Sequence, residues 1–220
     1  MKSRWFTCLS VLFFLGCQSP SSRHDEVRFP NGITVVRARG QVHVPAVALL
    51  RSGWLEQAVC TPETRTHESL FALLVPPSEL HAALLLAGGV PGRPGAPPAL
   101  DQPAKRPSGS RLEVLMAHDG GVVKLEDLVI DHRTGRPLSG HFVFSGSMFV
   151  EWQGVSRYLA DDEGSVVGLA TFGDELVAYS EPVSALVEQA GTVFRPNPDL
   201  MPPPGTHVVL RFTLVPEPEA

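Results

Sequence analysis

The stretch TRTHESLFALLVPPSELHAALLLAGG, residues 64–89, concentrates the residue types that do chemistry. His67 and Glu68 are adjacent, and His81 follows 14 residues after His67. An imidazole beside a carboxylate suits proton transfer or metal ligation. The spacing restricts both. On a strand, neighbouring side chains point to opposite faces, so His67 and Glu68 would not act together on one substrate atom. The zinc-protease pattern needs a second His four residues after the first, on a helix; that position is Phe71. His67 and His81 can meet only if the chain reverses at Pro76-Pro77. Zinc would then need further ligands from Cys60, Glu63, His118 or Asp119, whose spacing is not diagnostic. Cys60 with His67 as its base would make a thiol nucleophile. Yet Ala58-Val59-Cys60 reads as a buried strand end, where Cys behaves as a small hydrophobe. The bland assignment, a hydrogen-bonded structural histidine, is the expectation for both imidazoles.

Other candidates are weaker. Ser145 and Ser147 in FSGS lack the G-x-S-x-G elbow of a nucleophilic serine. The acidic run ADDEG, residues 160–164, lacks the spacing of an EF-hand loop and is expected to be a solvated hairpin tip. Trp54, Trp152 and Tyr158 fit a core better than an open aromatic platform. No phosphate-cradling glycine loop or cofactor fingerprint is present, so no cofactor is expected.

The elements that must position these residues follow from periodicity. QVHVPAV (41–47) alternates, with Val42, Val44 and Ala46 on one face. WLEQAVC (54–60) and SLFALLV (69–75) are further strands, the second apolar on both faces. After Pro76-Pro77, Ser78 can cap a helix over about 79–87, with Leu80, Ala83, Leu84 and Ala87 on one face and Gly88-Gly89 as its stop. Residues 91–111, rich in Pro and Gly, read as a flexible surface excursion. Strands resume at 111–117, 122–125, 141–150 (with Gly146 as a bulge) and 165–172. A second helix is predicted over about 182–190. In the closing strand, 206–215, Val208, Leu210, Phe212 and Leu214 face one way. The sum is an α+β fold: a mainly antiparallel, sandwich-like sheet system with one secure helix.

The chain has 220 residues, 43% of them hydrophobic, with 20 Gly and 21 Pro. This bounds it to one domain with tails and many turns. Its net charge of −5 gives no electrostatic footprint for nucleic acid, and none is expected as a partner. Lys2 and Arg4 precede an apolar run, Trp5–Leu15, that is too short for an ordinary membrane span. The run ends at Gly16-Cys17. This N-terminus resembles a bacterial lipoprotein signal: 1–16 removed, Cys17 lipidated, 17–30 a polar tether and 31–216 the folded domain. Cleavage would shift the net charge from −5 to −7 by removing Lys2 and Arg4. Cys8 would leave with the signal, and Cys60 would be the one thiol left beside the lipid site, so no intrachain disulfide could form.

Several stretches taken together carry a further resemblance. RTHESL (65–70), LHAALLLAGGVPG (80–92), FVFSGSMFV (142–150), YLADDEGSVVGLATFGDEL (158–176) and PPPGTHVVL (202–210) resemble, in content and order, the YdjY-domain family of bacterial envelope proteins. The resemblance covers about Val42 to Val215 and brings no established biochemical activity, so it transfers no catalytic role. Arg65, where Lys is frequent, and the 91–111 excursion depart from the pattern. The expectation is a lipid-anchored envelope protein that faces the periplasm, with an unknown envelope protein or small ligand as partner. Its domain would be a binding or assembly module. Gln18 after the lipid Cys points to the outer membrane. The alternative is a metal- or thiol-dependent envelope enzyme or redox accessory using His67, His81 and Cys60.

The N-terminal reading predicts that Cys17→Ser abolishes acylation and, with it, firm membrane attachment, because lipid chains supply the anchor. Fractionation after salt washing checks it; a Cys17→Ser protein that stays with the membranes contradicts the anchor.

Overall fold

The structure, a computed structural model, describes residues 25–97, 102–184 and 193–216. The lipidation candidate Cys17 lies outside these residues, as does most of the helix predicted at 182–190. Within them the sheet is mainly antiparallel, and it closes on itself. Eight strands form the ring: β1 (Gln41–Ala48), β2 (Gln57–Cys60), β3 (Ser69–Leu73), β4 (Arg111–His118), β5 (Phe142–Val143), β6 (Ser165–Gly168), β7 (Val177–Tyr179) and β8 (His207–Leu214). The order around it is β1-β8-β4-β5-β7-β6-β2-β3 and back to β1. The β6–β7 and β2–β3 pairs are parallel. The expected α+β, mainly antiparallel and sandwich-like fold is present, with its sheet closed into a barrel that leaves no open edge on the ring.

Closure turns on β1, whose one edge serves two partners in succession. Gln41–His43 pair with a strand at Thr34–Val36, and Ala46–Ala48 pair with β3. Pro45 stands at the changeover. Its carbonyl accepts from the Leu74 N–H at 3.1 Å. The N–H it lacks would face the same edge, at the seam between the partners, where a ladder bond is least missed.

The alternation predicted for β1 and β8 sets the core. Val42, Val44, Ala46, Val208, Leu210 and Phe212 are buried. The register stacks Phe212 between Val42 and Val114, and Leu210 between Val44 and Met116. Strands β2, β3, β6 and β7 are buried on both faces. A small outer sheet, Val129–Asp131 with Arg136–Pro137 and Phe194–Pro196, lies against β7, and the rings of Phe194 and Tyr179 meet edge-on at 6.1 Å.

Helix α1 spans Pro77–Leu86 and packs on β1, burying Leu80, Ala83 and Leu84, with Ala87 buried just beyond its end. It begins two residues earlier than the sequence suggests. Pro77 occupies the first helical position, where its missing N–H costs nothing, so Ser78 lies inside the helix and is not its cap. The Ser78 N–H is instead satisfied by the Asp161 carboxylate at 2.8 Å. Asp161 can reach it because ADDEG is no hairpin tip. Leu159–Glu163 form a short helix, α2, ended by Gly164 in the left-handed region. A Cβ on Gly164 would collide with the Thr61 and Thr64 hydroxyls, so the turn fits only glycine there.

Two other stretches depart from expectation. The strand predicted over 141–150 is broken: Gly146 (φ 87°) and Ser147 (φ 56°) turn the chain between β5 and a separate hairpin, Phe149–Trp152 with Val155–Tyr158. The arms of the Pro-rich excursion are held together. Pro91–Arg93 pair with Ser108–Gly109, and Ala96 bridges Lys105. Gly109 backs so closely on the Phe144 carbonyl that any side chain would overlap it. Local Gly and Pro content signals a loop, and tertiary contact decides whether the loop is pinned.

Cutting Leu84 to Ala removes a fully buried side chain between α1 and the barrel, and should destabilise by about 2–5 kcal/mol. Urea denaturation of both proteins measures it.

Candidate functional site

Strand β3 and helix α1 are joined by the Pro76-Pro77 turn, and between them they carry the opening histidines to different surroundings. His67 lies on a single 3-10 turn, Thr66–Glu68, and not on a strand. Its side chain is 78% exposed, with the imidazole 3.7 Å from the Glu68 carboxylate. Glu68 also lies 3.8 Å from Arg65. Behind them Glu56 is held above the usual carboxylate range by burial and by the neighbouring Glu68. Cys60 ends β2 fully buried. Burial pushes its thiol up, against weaker help from Ser69 and Thr64, so it is a poor source of thiolate.

His81 sits on α1 in a different neighbourhood. Its Nδ1 is 2.8 Å from the Tyr158 hydroxyl, and that hydroxyl donates to the Gly146 carbonyl at 3.0 Å. Which of the two groups donates across the 2.8 Å contact depends on the imidazole tautomer. Burial depresses proton binding at His81, so the ring is neutral at pH 7. The Phe144 and Tyr158 rings meet it edge-on at 5.0 and 5.6 Å. His81, Tyr158, Phe149 and Leu85 line a mainly apolar cleft of about 310 Å³ between α1 and the 149–158 hairpin.

The structure thus separates residues that stand close together as candidates in the sequence. Cys60 is interior, His67 and Glu68 form an exposed ionic turn, and His81 pairs with Tyr158. Among the described residues no group of three or more His, Cys, Asp or Glu is placed to hold a metal ion. Of the aromatic trio, Tyr158 is buried, whereas Trp54 and Trp152 are exposed. Trp54 meets His132 edge-on at 5.1 Å.

A polar constellation in the loop after β6 escaped the sequence reading. Glu175 is almost wholly buried, and its carboxylate accepts from the N–H groups of Phe172 and Gly173. Burial raises it to about 7. Gly168 makes room for it, since a Cβ there would lie 2.4 Å from Glu175 Cγ. Neighbouring Asp174 is raised by burial as well, against a weaker opposing effect of Ser165. Arg65 stacks 3.9 Å above the Phe172 ring, tying this loop to the turn that carries His67. The only sequence signal was a pair of acids, Asp174-Glu175, running into the apolar stretch Leu176-Val177, too common a pattern to single out.

Residues 33–213 match the YdjY domain. No curated protein and no solved structure matches the chain.

Glu175 makes stability depend on pH. Its carboxyl binds a proton more tightly folded than unfolded, so its contribution is fully present below the unfolded value of 4.5 and is lost as pH rises to about 7. A displacement of that size corresponds to a few kcal/mol, of order 3. Glu175→Gln keeps an acceptor for both N–H groups and removes the titration. Urea denaturation at pH 4.5 and 7.5 should show wild type losing more stability than the variant, by that amount; parallel profiles would contradict the assignment.

Proposed function

The chain belongs to the YdjY-domain family, and from that premise we propose that it is a lipid-anchored protein of the bacterial envelope whose domain binds a partner rather than making or breaking bonds. The anchor is lipid on Cys17, with 17–30 as tether and the domain facing the periplasm from the outer membrane. The N-terminal sequence supports this: a basic start, a short apolar run, then Gly16-Cys17-Gln18.

The observation that carries the binding role is the hairpin beside His81. Gln153 and Gly154, both with positive φ, make the tight turn that suits a two-residue hairpin. Trp152 and Val155 pair across its tip, 62% and 61% exposed. Phe149 pairs with Tyr158 at its base and is 69% exposed on the cleft side. Three large apolar side chains standing in water on one hairpin, next to an apolar cleft, is the pattern of an interaction surface. The partner this fits is an envelope protein that inserts an apolar side chain between α1 and the hairpin. The enzyme alternative gains no such support, since Cys60 is buried and protonated and His67 and His81 have different partners.

A photoreactive phenylalanine analogue at Phe149 in the full-length protein should give one discrete protein adduct in native envelopes. The same analogue at Val122, exposed on a different hairpin, should give none, and Leu85→Ser should suppress the Phe149 adduct. Equal labelling from both positions, or no adduct from Phe149, would refute the cleft as a binding surface.

A further inference from the structure

The Phe149–Trp152 and Val155–Tyr158 strands form a two-stranded sheet of their own, with no third strand among the described residues. Their register fixes where the backbone groups point. The tight turn at Gln153-Gly154 sets Trp152 opposite Val155 and Val150 opposite Arg157. At the base, the Leu159 N–H donates to the Met148 carbonyl at 3.0 Å. Hydrogen-bonded and non-bonded pairs alternate along an antiparallel ladder. Met148, Val150 and Trp152 therefore bond inward, and Phe149 and Glu151 turn their N–H and C=O groups outward. Among the described residues none of those outward groups has a hydrogen-bond partner.

An exposed edge of this kind invites another strand, and folds commonly blunt it with proline, lysine or other charges. Other margins here carry such devices. Glu26–Arg28 holds an ion pair between its own ends, the Gly121–Lys124 strand ends in lysine, and Pro91–Arg93 and Arg136–Pro137 contain proline. Phe149–Trp152 has no proline and no base, and Phe149 and Glu151 are both exposed. The companion strand is closed at its base, where Tyr158 is buried and the chain runs on into α2. A two-stranded ribbon alone is marginal in water, and a third strand would complete it. The one charge on the open edge, Glu151, forms no ion pair among the described residues. That charge selects what can pair there.

We infer that an extended peptide segment adds as an antiparallel third strand along Phe149–Trp152, with an apolar side chain opposite Phe149 and a basic one opposite Glu151. This rests on the hairpin surface proposed above and names the backbone mode of that contact. Strand alternation puts Phe149 and Glu151 on one face, and Phe149 lines the cleft with Leu85 and His81. The partner residue opposite Phe149 therefore reaches the cleft. The one opposite Glu151 meets its carboxylate, and opposite charges attract across a ladder. Because the strands run in opposite directions, the segment reads basic, any, apolar from its N-terminus. The outward backbone groups supply affinity and the two side chains selectivity. A second copy of this edge fits worse: symmetric pairing sets Glu151 against Glu151 or against Phe149 and supplies no cation.

The test is titration of the isotope-labelled full-length protein, in neutral detergent, with the synthetic peptide acetyl-Ser-Thr-Lys-Val-Leu-Thr-Ser-amide, followed by amide correlation spectra. Saturable shifts of the Phe149 and Glu151 amides are expected at peptide concentrations up to about 10 mM. Methylating the peptide's Leu nitrogen removes the donor that the Phe149 carbonyl would accept from, and should weaken binding by about tenfold or more. Glu151→Pro removes an outward N–H without touching the hairpin's own bonds, and should weaken binding as much. Ser156→Pro, the matching change on the companion strand, should leave it unchanged. Glu151→Lys should weaken the Lys peptide and strengthen its Glu counterpart, each by about two- to fivefold. Where Glu151→Pro disturbs the free hairpin's spectrum, the methylated peptide tests the same bond on wild-type protein. Absence of saturable shifts at Phe149 and Glu151, or equal binding of the methylated peptide, overturns the inference. So does a free protein that sediments as a dimer and becomes monomeric in Glu151→Pro, which would give the edge to a second copy. The Phe149 photo-adduct needs side-chain contact alone, so failure here and failure of the hairpin surface are distinguishable.

Discussion

The divided edge of β1 is the contact on which the rest of the molecule depends. An antiparallel strand of eight residues has enough edge for two short partners, and here it takes the strand at Thr34–Val36 along one half and β3 along the other. With β8 on its opposite edge, β1 closes the ring. Without the β3 pairing, the sheet would be an open ribbon with β3 at its margin. Pro45 at the seam makes the divided edge tolerable. From β3 the chain turns at Pro76-Pro77 into α1, which packs back over β1, so the strand that closes the barrel also seats its main helix.

Closure has a cost in polar groups. Strands buried on both faces carry side chains that a half-exposed sheet would have left in water. Gln57 on β2 is fully buried, with neither end of its amide partnered among the described residues. Glu175 is accommodated by backbone N–H groups and by a glycine opposite, and it holds its proton up to about pH 7. Leaving such groups unmatched costs on the order of 1–3 kcal/mol each, which the surrounding apolar core must offset. The same burial that raises Glu175 silences Cys60, so interior position removes chemistry from one residue and makes another pH-sensitive.

The 149–158 hairpin and its cleft lie where local elements project beyond the ring. The 149–158 hairpin leaves the barrel because Gly146 and Ser147 turn the chain after β5, and its aromatic base meets α1 at His81. The cleft is not continuous in sequence: it joins residues from 78 to 158.

Periodicity alone was enough for the alternating strands, β1 and β8, and for the buried face of α1. Both patterns are local and follow directly from the two-residue and 3.6-residue repeats. The motifs quoted between about Val42 and Val215 were enough to point to its family, and the match over residues 33–213 bears that out. Tertiary structure decided the rest. Ring closure depends on which short strands pair at a distance, and strands of two or three residues such as β5 and β7 have too few positions to show a period. The short helix in ADDEG forms in its packed setting, with Asp161 reaching Ser78 and Gly164 set against Thr61 and Thr64. The Pro-rich arms are held by a backbone contact at Gly109 that composition does not encode. His81 was visible as a candidate, but its partner was not: Tyr158 lies 77 residues away, and only the folded chain brings the phenol to the imidazole.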